Sequence, residues 1–190
     1  MKFVQKEFSH IYEEKKSKFI AYLMPFEMFD AIMKRVKAEH PKARHFVYAY
    51  RYLNEFEQIV ENSSDDGEPK GTSGKPCLSV LAGQEIINSA VIVVRYFGGV
   101  KLGTGGLVRA YGDSVNEVLQ ISEFKEYQKL ILKTLECQYG ELSQVEYLLH
   151  QDNIAVKSKD FSTTVCLHIE LTSEQLANLE SNLSRNIKIS

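Results

Sequence analysis

Apolar residues recur at helical spacing in two places within the first 125 residues. In the stretch 29–36 they stand at i, i+3, i+4 and i+7, which predicts an amphipathic helix that ends before Pro41. A second apolar stripe runs through 107–119 and predicts a longer helix directly after a glycine-rich segment. Each helix is therefore expected to bury one face.

Between the predicted helices, the hydrophobic pattern changes to that of β-strands. Residues 89–97 form a nearly continuous β-branched run, which is typical of a strand buried on both faces. Residues 45–53 alternate, and further strands are predicted at 19–24 and 58–62. The strand at 45–53 places an aromatic stripe on one face, which we interpret as core: Phe46, Tyr48, Tyr50 and Tyr52.

The last third of the chain has a separate pattern, strand–helix–strand–strand–helix–strand. A strand over 126–138 precedes a helix whose apolar face includes Leu148, and a hairpin over 154–171 follows. Thr172 and Gln175 have the spacing of a capping box, which predicts the start of the second helix. This order predicts a ferredoxin-like βαββαβ domain.

Glycine placement indicates where the chain divides. Ten of the eleven glycines lie between Gly67 and Gly112, and only Gly140 lies beyond. We therefore predict an α+β protein of two domains, residues 1–125 with the glycine-rich segment and residues 126–190 with the ferredoxin-like order. No glycine-rich loop or cluster of catalytic residue types is present in the second domain, so it is interpreted as a binding or scaffold domain.

Charge and targeting signals narrow the function classes. The formal net charge is −2, with +1 on residues 1–125 and −3 on residues 126–190, which argues against a protein that coats nucleic acid through its bulk field. Any nucleic-acid contact must come from a local patch. No signal sequence or membrane-length apolar run is present, and the three cysteines lack metal-ligand spacing. We expect a cytoplasmic protein with no membrane partner; the oligomeric state is left open.

The segment after the buried strand has the order strand, glycine loop, helix. Such a junction directs free backbone N–H groups and the positive end of a helix to one place, which predicts an anion site. The spacing fits neither the Walker A loop nor the dinucleotide-binding fingerprint, so no cofactor is predicted. The candidate anion-binding residues are Arg95, Lys101, Gly103, Thr104, Gly105, Gly106 and Arg109, with Arg44 and His45 at the rim. A purely structural account, with glycines serving tight turns and Arg109 paired with Asp113, also fits.

A second glycine-rich segment contains three carboxylates in four positions: Asp65, Asp66 and Glu68. Close carboxylates can bind a divalent ion or share a proton, although Asp-Gly and Glu-Pro are also ordinary turn chemistry. A third interpretation is that these acids neutralise the basic residues of the anion site. We therefore predict no metal site and do not favour a catalytic role.

Long, ordered motifs resemble those of one protein family. They occupy residues 15–20, 38–45, 65–76, 94–99 and 102–112, and weaker similarity follows at 135–139 and 146–149. On these motifs the sequence resembles the IMPACT family, specifically its bacterial two-domain members of the YigZ type. The resemblance implies a ribosomal-protein-type N-terminal α/β domain similar to domain IV of elongation factor G, and a C-terminal domain similar to domain V of that factor.

The resemblance also gives a functional expectation. Eukaryotic members are linked to control of translation, but they carry a different second domain. We therefore expect a non-catalytic binding protein that contacts RNA or a ribosomal component at the glycine-rich site. The alternatives are a metal-assisted phosphate-ester or nucleotide hydrolase that uses the three carboxylates, and a protein-interaction module.

Overall fold

The computed structural model describes residues 1–184 and 186–190. The chain divides into two compact units, Met1–Tyr127 and Gln128–Ser190. In the described part of the chain, no helix is both long and apolar enough to cross a membrane.

The first unit is built on a five-stranded antiparallel sheet with the order β2-β3-β6-β4-β5. The strands are β2 (Phe8–Glu14), β3 (Ser17–Pro25), β4 (His45–Leu53), β5 (Ile59–Ser64) and β6 (Ser89–Tyr96). The central strand β6 has all but its last residue buried, as its β-branched run predicts. Two short strands, β1 (Lys2–Phe3) and β7 (Lys125–Glu126), pair with each other.

Helices cover both faces of this sheet, because alternate residues of each strand point to opposite sides. Helices α2 (Gly74–Gly83) and α3 (Gly103–Gln120) pack on one face, in a core that includes Val91 and Val93. Helix α1 (Phe29–Glu39) packs on the other face against Ile92, Val94 and the aromatic stripe of β4. The prediction that this stripe is core is confirmed for half-buried Phe46, Tyr48 and Tyr50, whereas Tyr52 lies outside this cluster and stacks on Phe26.

The second unit is ferredoxin-like, as its pattern predicts. Its elements are β8 (Ile131–Cys137), α4 (Leu142–Gln151), β9 (Ala155–Phe161), β10 (Val165–Leu171), α5 (Ser173–Asn182) and β11 (Lys188–Ile189). The antiparallel sheet has the order β11-β8-β10-β9. The capping box is confirmed, since the Thr172 hydroxyl accepts from the Gln175 amide and the Gln175 side chain accepts from the Thr172 amide.

Two details differ from the prediction. Strand β2 was not predicted, because charged and polar residues interrupt its alternation. The single strand predicted over 126–138 is wrong: Lys125–Glu126 pairs with β1 inside the first unit, and β8 begins only at Ile131. This pairing holds residues 126 and 127 with the first unit, so the division lies at 127/128 and not at the predicted 125/126.

Candidate functional site

The loop from Asp65 to Ser73 folds around a single carboxylate. One oxygen of Asp65 accepts from the Gly71 amide at 2.7 Å, and the other accepts from the Ser73 amide and hydroxyl and from the Gly74 amide at 3.1, 2.8 and 2.8 Å. Gly74 is the first residue of α2, so the carboxylate satisfies donors that every helix start leaves without intrahelical partners. The start of α2 thus has its anion supplied from within the chain.

These contacts change the acidity of Asp65. Burial alone would raise the pKa of its carboxyl group. The hydrogen bonds from the backbone of residues 71–74 and from the Ser73 hydroxyl outweigh burial and lower the pKa below its ordinary value of 3.8. Asp65 is therefore held as a carboxylate with most of its acceptor capacity in use.

Asp66 ties the same loop to the first residues of β4. Its carboxylate accepts from the Phe46 amide at 2.6 Å, and its carbonyl oxygen lies 2.9 Å from Nδ1 of His45. Half-buried His45 also stands directly opposite Arg95 across the sheet. The two acids at 65 and 66 therefore perform different structural tasks and do not face a shared centre.

Glu68 reaches under α3 to a buried polar cluster. Its Oε1 accepts from Nη1 of Arg95 at 2.6 Å and from the Tyr111 hydroxyl at 2.9 Å. The Glu68 side chain is only 4% exposed and that of Arg95 only 8%. Burial, together with the adjacent carboxylate, raises the pKa of Tyr111 far above its ordinary value, so the hydroxyl remains a donor.

The guanidinium group of Arg95 also lies over two aromatic rings, with its carbon 5.6 Å from the Phe19 ring centroid and 5.8 Å from that of Phe97. Its buried Nε has no acceptor within the described residues. Its charge is thus shared between one buried carboxylate and two ring faces. Arg95 contributes little free positive charge to the surface.

The glycine loop leaves the end of β6 by a very close backbone approach. A Cβ atom at Gly98 would overlap the backbone of Lys16 and Ser17, and the Gly98 amide donates to the Ser17 hydroxyl at 3.2 Å. This contact places the turn between β2 and β3 beside the loop. Exposed Lys15 and Lys16 therefore join the exposed Lys101 in the same neighbourhood.

Helix α3 begins at Gly103 with no side-chain cap. The amides of Gly103, Thr104 and Gly105 lie in the first turn, where helical geometry offers them no carbonyl partner. No side chain among the described residues accepts from them. A Cβ atom at Gly105 would meet open space, and its φ is not positive, so packing does not require glycine at this position. All three residues are exposed.

Arg109 lies one turn further along α3 and is exposed. Its Nε donates to the Gly105 carbonyl oxygen at 3.3 Å, and no ion pair with Asp113 is formed. A shallow cavity of about 230 Å³ lies between this turn and the β2–β3 turn, with Arg109 and Lys15 on its walls together with Glu14 and Asp113. The surface beside the α3 start is therefore polar, with basic residues from two elements.

Comparison with known proteins assigns the chain to a family. Residues 15–119 match the Impact N-terminal domain, and residues 135–186 match a domain of unknown function named DUF1949. The chain belongs to the IMPACT family. Two-domain relatives of the YigZ type share this architecture, as the motifs of the sequence indicate.

Relatives match nearly the whole chain. It is 37% identical to an IMPACT family member of Haemophilus influenzae, over 92% of this chain and 87% of the relative. It is 38% identical to the IMPACT family member YigZ of Escherichia coli, over 90% and 86%. A crystal structure of a hypothetical protein is similar with a TM-score of 0.65 at 35% identity, covering 99% of this chain and 95% of that one.

The structure separates the residues suggested by the sequence into two groups. Lys101, residues 103–105 and Arg109 are exposed around the start of α3 and Gly106 is half-buried there, whereas Arg95 is buried in an ion pair with Glu68. Arg44 is exposed next to His45 and makes no polar side-chain contact with the residues that the structure describes. Periodicity placed Tyr111 in the apolar stripe of α3 but did not indicate that its hydroxyl completes the buried cluster. The one indication in the sequence was that a tyrosine, with its polar hydroxyl group, lies in an otherwise apolar stripe of the helix.

Proposed function

We propose that the protein is a non-catalytic binding protein that contacts RNA, free or within the ribosome, in translation-related regulation. The group recognised is a backbone phosphate at the start of α3. The observation that carries this proposal is the uncapped, glycine-rich first turn of α3 beside exposed Lys101 and Arg109. At the start of α2, by contrast, Asp65 already accepts from the amide of the first helical residue, Gly74.

A phosphate fits the α3 start for two reasons. Free N–H groups and the helix dipole favour a negative group at a helix start, and flanking cations add charge-assisted contacts. Gly105 supports close approach, because its missing side chain serves no turn and no packing contact. Glycine inside a helix costs about 0.5–1 kcal/mol relative to alanine, so its presence here suggests a role outside folding.

The translational part of the proposal is supported by the family resemblance. The motifs imply two domains similar to domains IV and V of elongation factor G, a factor that works on the ribosome. The chain is near neutral overall, and exposed cations from two elements, Lys15, Lys16, Lys101 and Arg109, lie where the glycine loop meets the β2–β3 turn, together with Glu14 and Asp113. A site of this kind recognises a local phosphate group rather than a long polyanion.

The hydrolase alternative gains no support from the carboxylates. Asp65 caps α2, Asp66 holds β4, and Glu68 is buried against Arg95. Within the described residues, no three histidine, cysteine or acidic side chains are grouped as metal ligands would be. Each acid has a structural task that a catalytic role would disturb.

RNA binding as a function of salt tests the proposal. Lys101→Ala/Arg109→Ala should weaken binding at least about tenfold, equivalent to about 1.4 kcal/mol. The slope of log K against log salt should fall by about 1.4 for a single strand. Lys34→Ala/Lys37→Ala, which removes two cations from α1 on the opposite face of the sheet, is the matched control. Equal binding by both double variants, with both folded, would reject the α3 surface as the RNA site.

A protein-interaction module remains distinguishable in the same experiment. Binding of a protein partner through the glycine loop would show little dependence on salt, because apolar docking releases few counterions. A steep salt dependence that the double variant reduces supports phosphate recognition instead.

A further inference from the structure

Phe97 is an exposed aromatic residue at the first position of the glycine loop. It follows the last residue of β6 directly and is 60% exposed, although Arg95, two residues earlier, and Val93, four residues earlier, are buried. Most large aromatic side chains of the first unit are packed into its two cores. Phe97 therefore exposes apolar surface close in sequence to buried residues of the first unit.

One face of the Phe97 ring contacts the guanidinium group of Arg95. The guanidinium carbon of Arg95 lies 5.8 Å from the ring centroid, and Glu68 fixes that guanidinium through the 2.6 Å contact with Nη1. A planar cation beneath a ring restrains its orientation without covering both faces. The ring is thus anchored from below and available to solvent above.

Phe97 is followed by two glycines, the exposed Val100 and a basic residue. Gly98 and Gly99 follow it, and a Cβ atom at Gly99 would meet open space. The Gly98 contact brings Lys16 alongside, and Lys101 lies four residues further along the loop. None of these features blocks a flat group from reaching the ring, and the lysines favour a negatively charged ligand.

We infer that Phe97 is a stacking platform for an unpaired nucleobase, so that the RNA recognised at the α3 start is single-stranded at this point. An exposed ring beside cations is the arrangement by which proteins bind single strands, since every base has a face that can stack. The bases of a duplex are stacked on each other and would meet this surface only through phosphates. This inference rests on the proposed function, because the phosphate site sets where the base lies.

Three RNA probes of equal length separate the contributions of base and phosphate. They are an oligouridine of about 12 nucleotides, within the range of site sizes of single-strand-binding folds, an abasic strand and a duplex. The oligouridine should bind most tightly. Phe97→Ala should weaken its binding between about fivefold and a hundredfold and leave the abasic strand unaffected.

Two further variants show whether the ring face is responsible. Phe97→Tyr keeps the face and should bind like the native chain, whereas Phe97→Leu keeps apolar bulk and should bind like Phe97→Ala. Phe56→Ala is the matched control: Phe56 is 72% exposed in the β4–β5 turn, at the far end of β4 from His45. Both positions, Phe97 and Phe56, are exposed, so these four variants should fold, and circular dichroism checks this.

The outcomes distinguish this inference from the proposal beneath it. Equal binding of duplex and oligouridine, unchanged in Phe97→Ala but weakened in Lys101→Ala/Arg109→Ala, would overturn the stacking platform and leave the phosphate site standing. Absence of binding by the native chain to every probe would reject both. Loss in Phe97→Leu with retention in Phe97→Tyr, confined to the base-bearing single strand, supports both.

Discussion

Two loop–helix junctions of the first unit use similar residues in opposite ways. Asp65 to Gly74 and Phe97 to Gly106 are both rich in glycine, and each leads into a helix on the same face of the sheet. The first junction is closed: a carboxylate from the loop accepts from the backbone at the start of α2. The second is open, because α3 starts without a side-chain cap and its cations are exposed. Glycine content alone therefore does not distinguish the two junctions; the presence of an internal anion at one of them does.

The closed junction also supports the open one through Glu68. This residue belongs to the first loop, yet its carboxylate holds Arg95 below Phe97 and receives the hydroxyl of Tyr111 from α3. A residue of the first loop thus stabilises the buried side chains on which the second loop and α3 pack.

The largest expected effect on the free energy of unfolding comes from removing the Glu68 carboxylate. Glu68→Ala leaves a buried guanidinium without its carboxylate, and breaking a buried pair in this way typically costs about 3–5 kcal/mol of folding free energy. Urea denaturation measures the loss. The control is Glu61→Ala, which breaks a second arginine–glutamate contact of 2.6 Å at a more exposed glutamate.

That control should cost below about 1 kcal/mol. Arg51 keeps the carbonyl oxygens of Leu81 and Ile86 as acceptors after the Glu61 carboxylate is lost. Equal destabilisation by the two variants would contradict the view that Glu68 anchors the open junction.

A smaller but pH-dependent effect is expected at Asp65. Asp65→Ala removes the acceptor for four donors and should cost about 2–3 kcal/mol at neutral pH. Because the folded pKa lies below 3.8, this stability is fully present above that value and is lost as pH falls through the lower folded pKa.

Acid titration of the unfolding free energy checks this prediction. The difference between the native chain and Asp65→Ala should be constant above about pH 5 and should shrink on acidification below 3.8. Asp30→Ala is the control, since Asp30 is an exposed acid in the first turn of α1. A difference that grows on acidification would show that the carboxylate does not cap α2.

The smallest expected effect is that of Gly105→Ala, which should change stability and RNA binding in opposite directions. Gly105→Ala should raise the free energy of unfolding by about 0.5–1 kcal/mol, because alanine is the better helix former and its Cβ meets open space. The same change should weaken RNA binding, since the methyl group stands where a phosphate would approach. Gly83→Ala, at the last residue of α2 and also in open space, is the control that should leave binding unchanged.

More of the fold than of the candidate site could be predicted from the sequence. Periodicity located α1, α3 and β6, and the ferredoxin-like order followed from alternation over the last third of the chain. Periodicity did not predict that the Arg95 side chain is buried. A strand buried on both faces shows no alternation of polar and apolar residues, so the direction of one side chain cannot be inferred from the pattern. The sequence suggested that the loop acids neutralise the basic residues, and Glu68 does pair with Arg95, 27 residues later; local patterns do not encode which acid meets which base. The start of α3 was predictable because a buried strand, glycines and an apolar stripe follow one another directly.

Amide chemical shifts during a titration with inorganic phosphate test the central claim most directly. The amides of Thr104 and Gly105 should shift in a saturable manner, and those of Gly71 and Gly74, which Asp65 already occupies, should stay in place. The Lys101→Ala/Arg109→Ala variant should need a higher phosphate concentration for the same shift. Equal shifts at both helix starts, or none at the start of α3, would contradict the account.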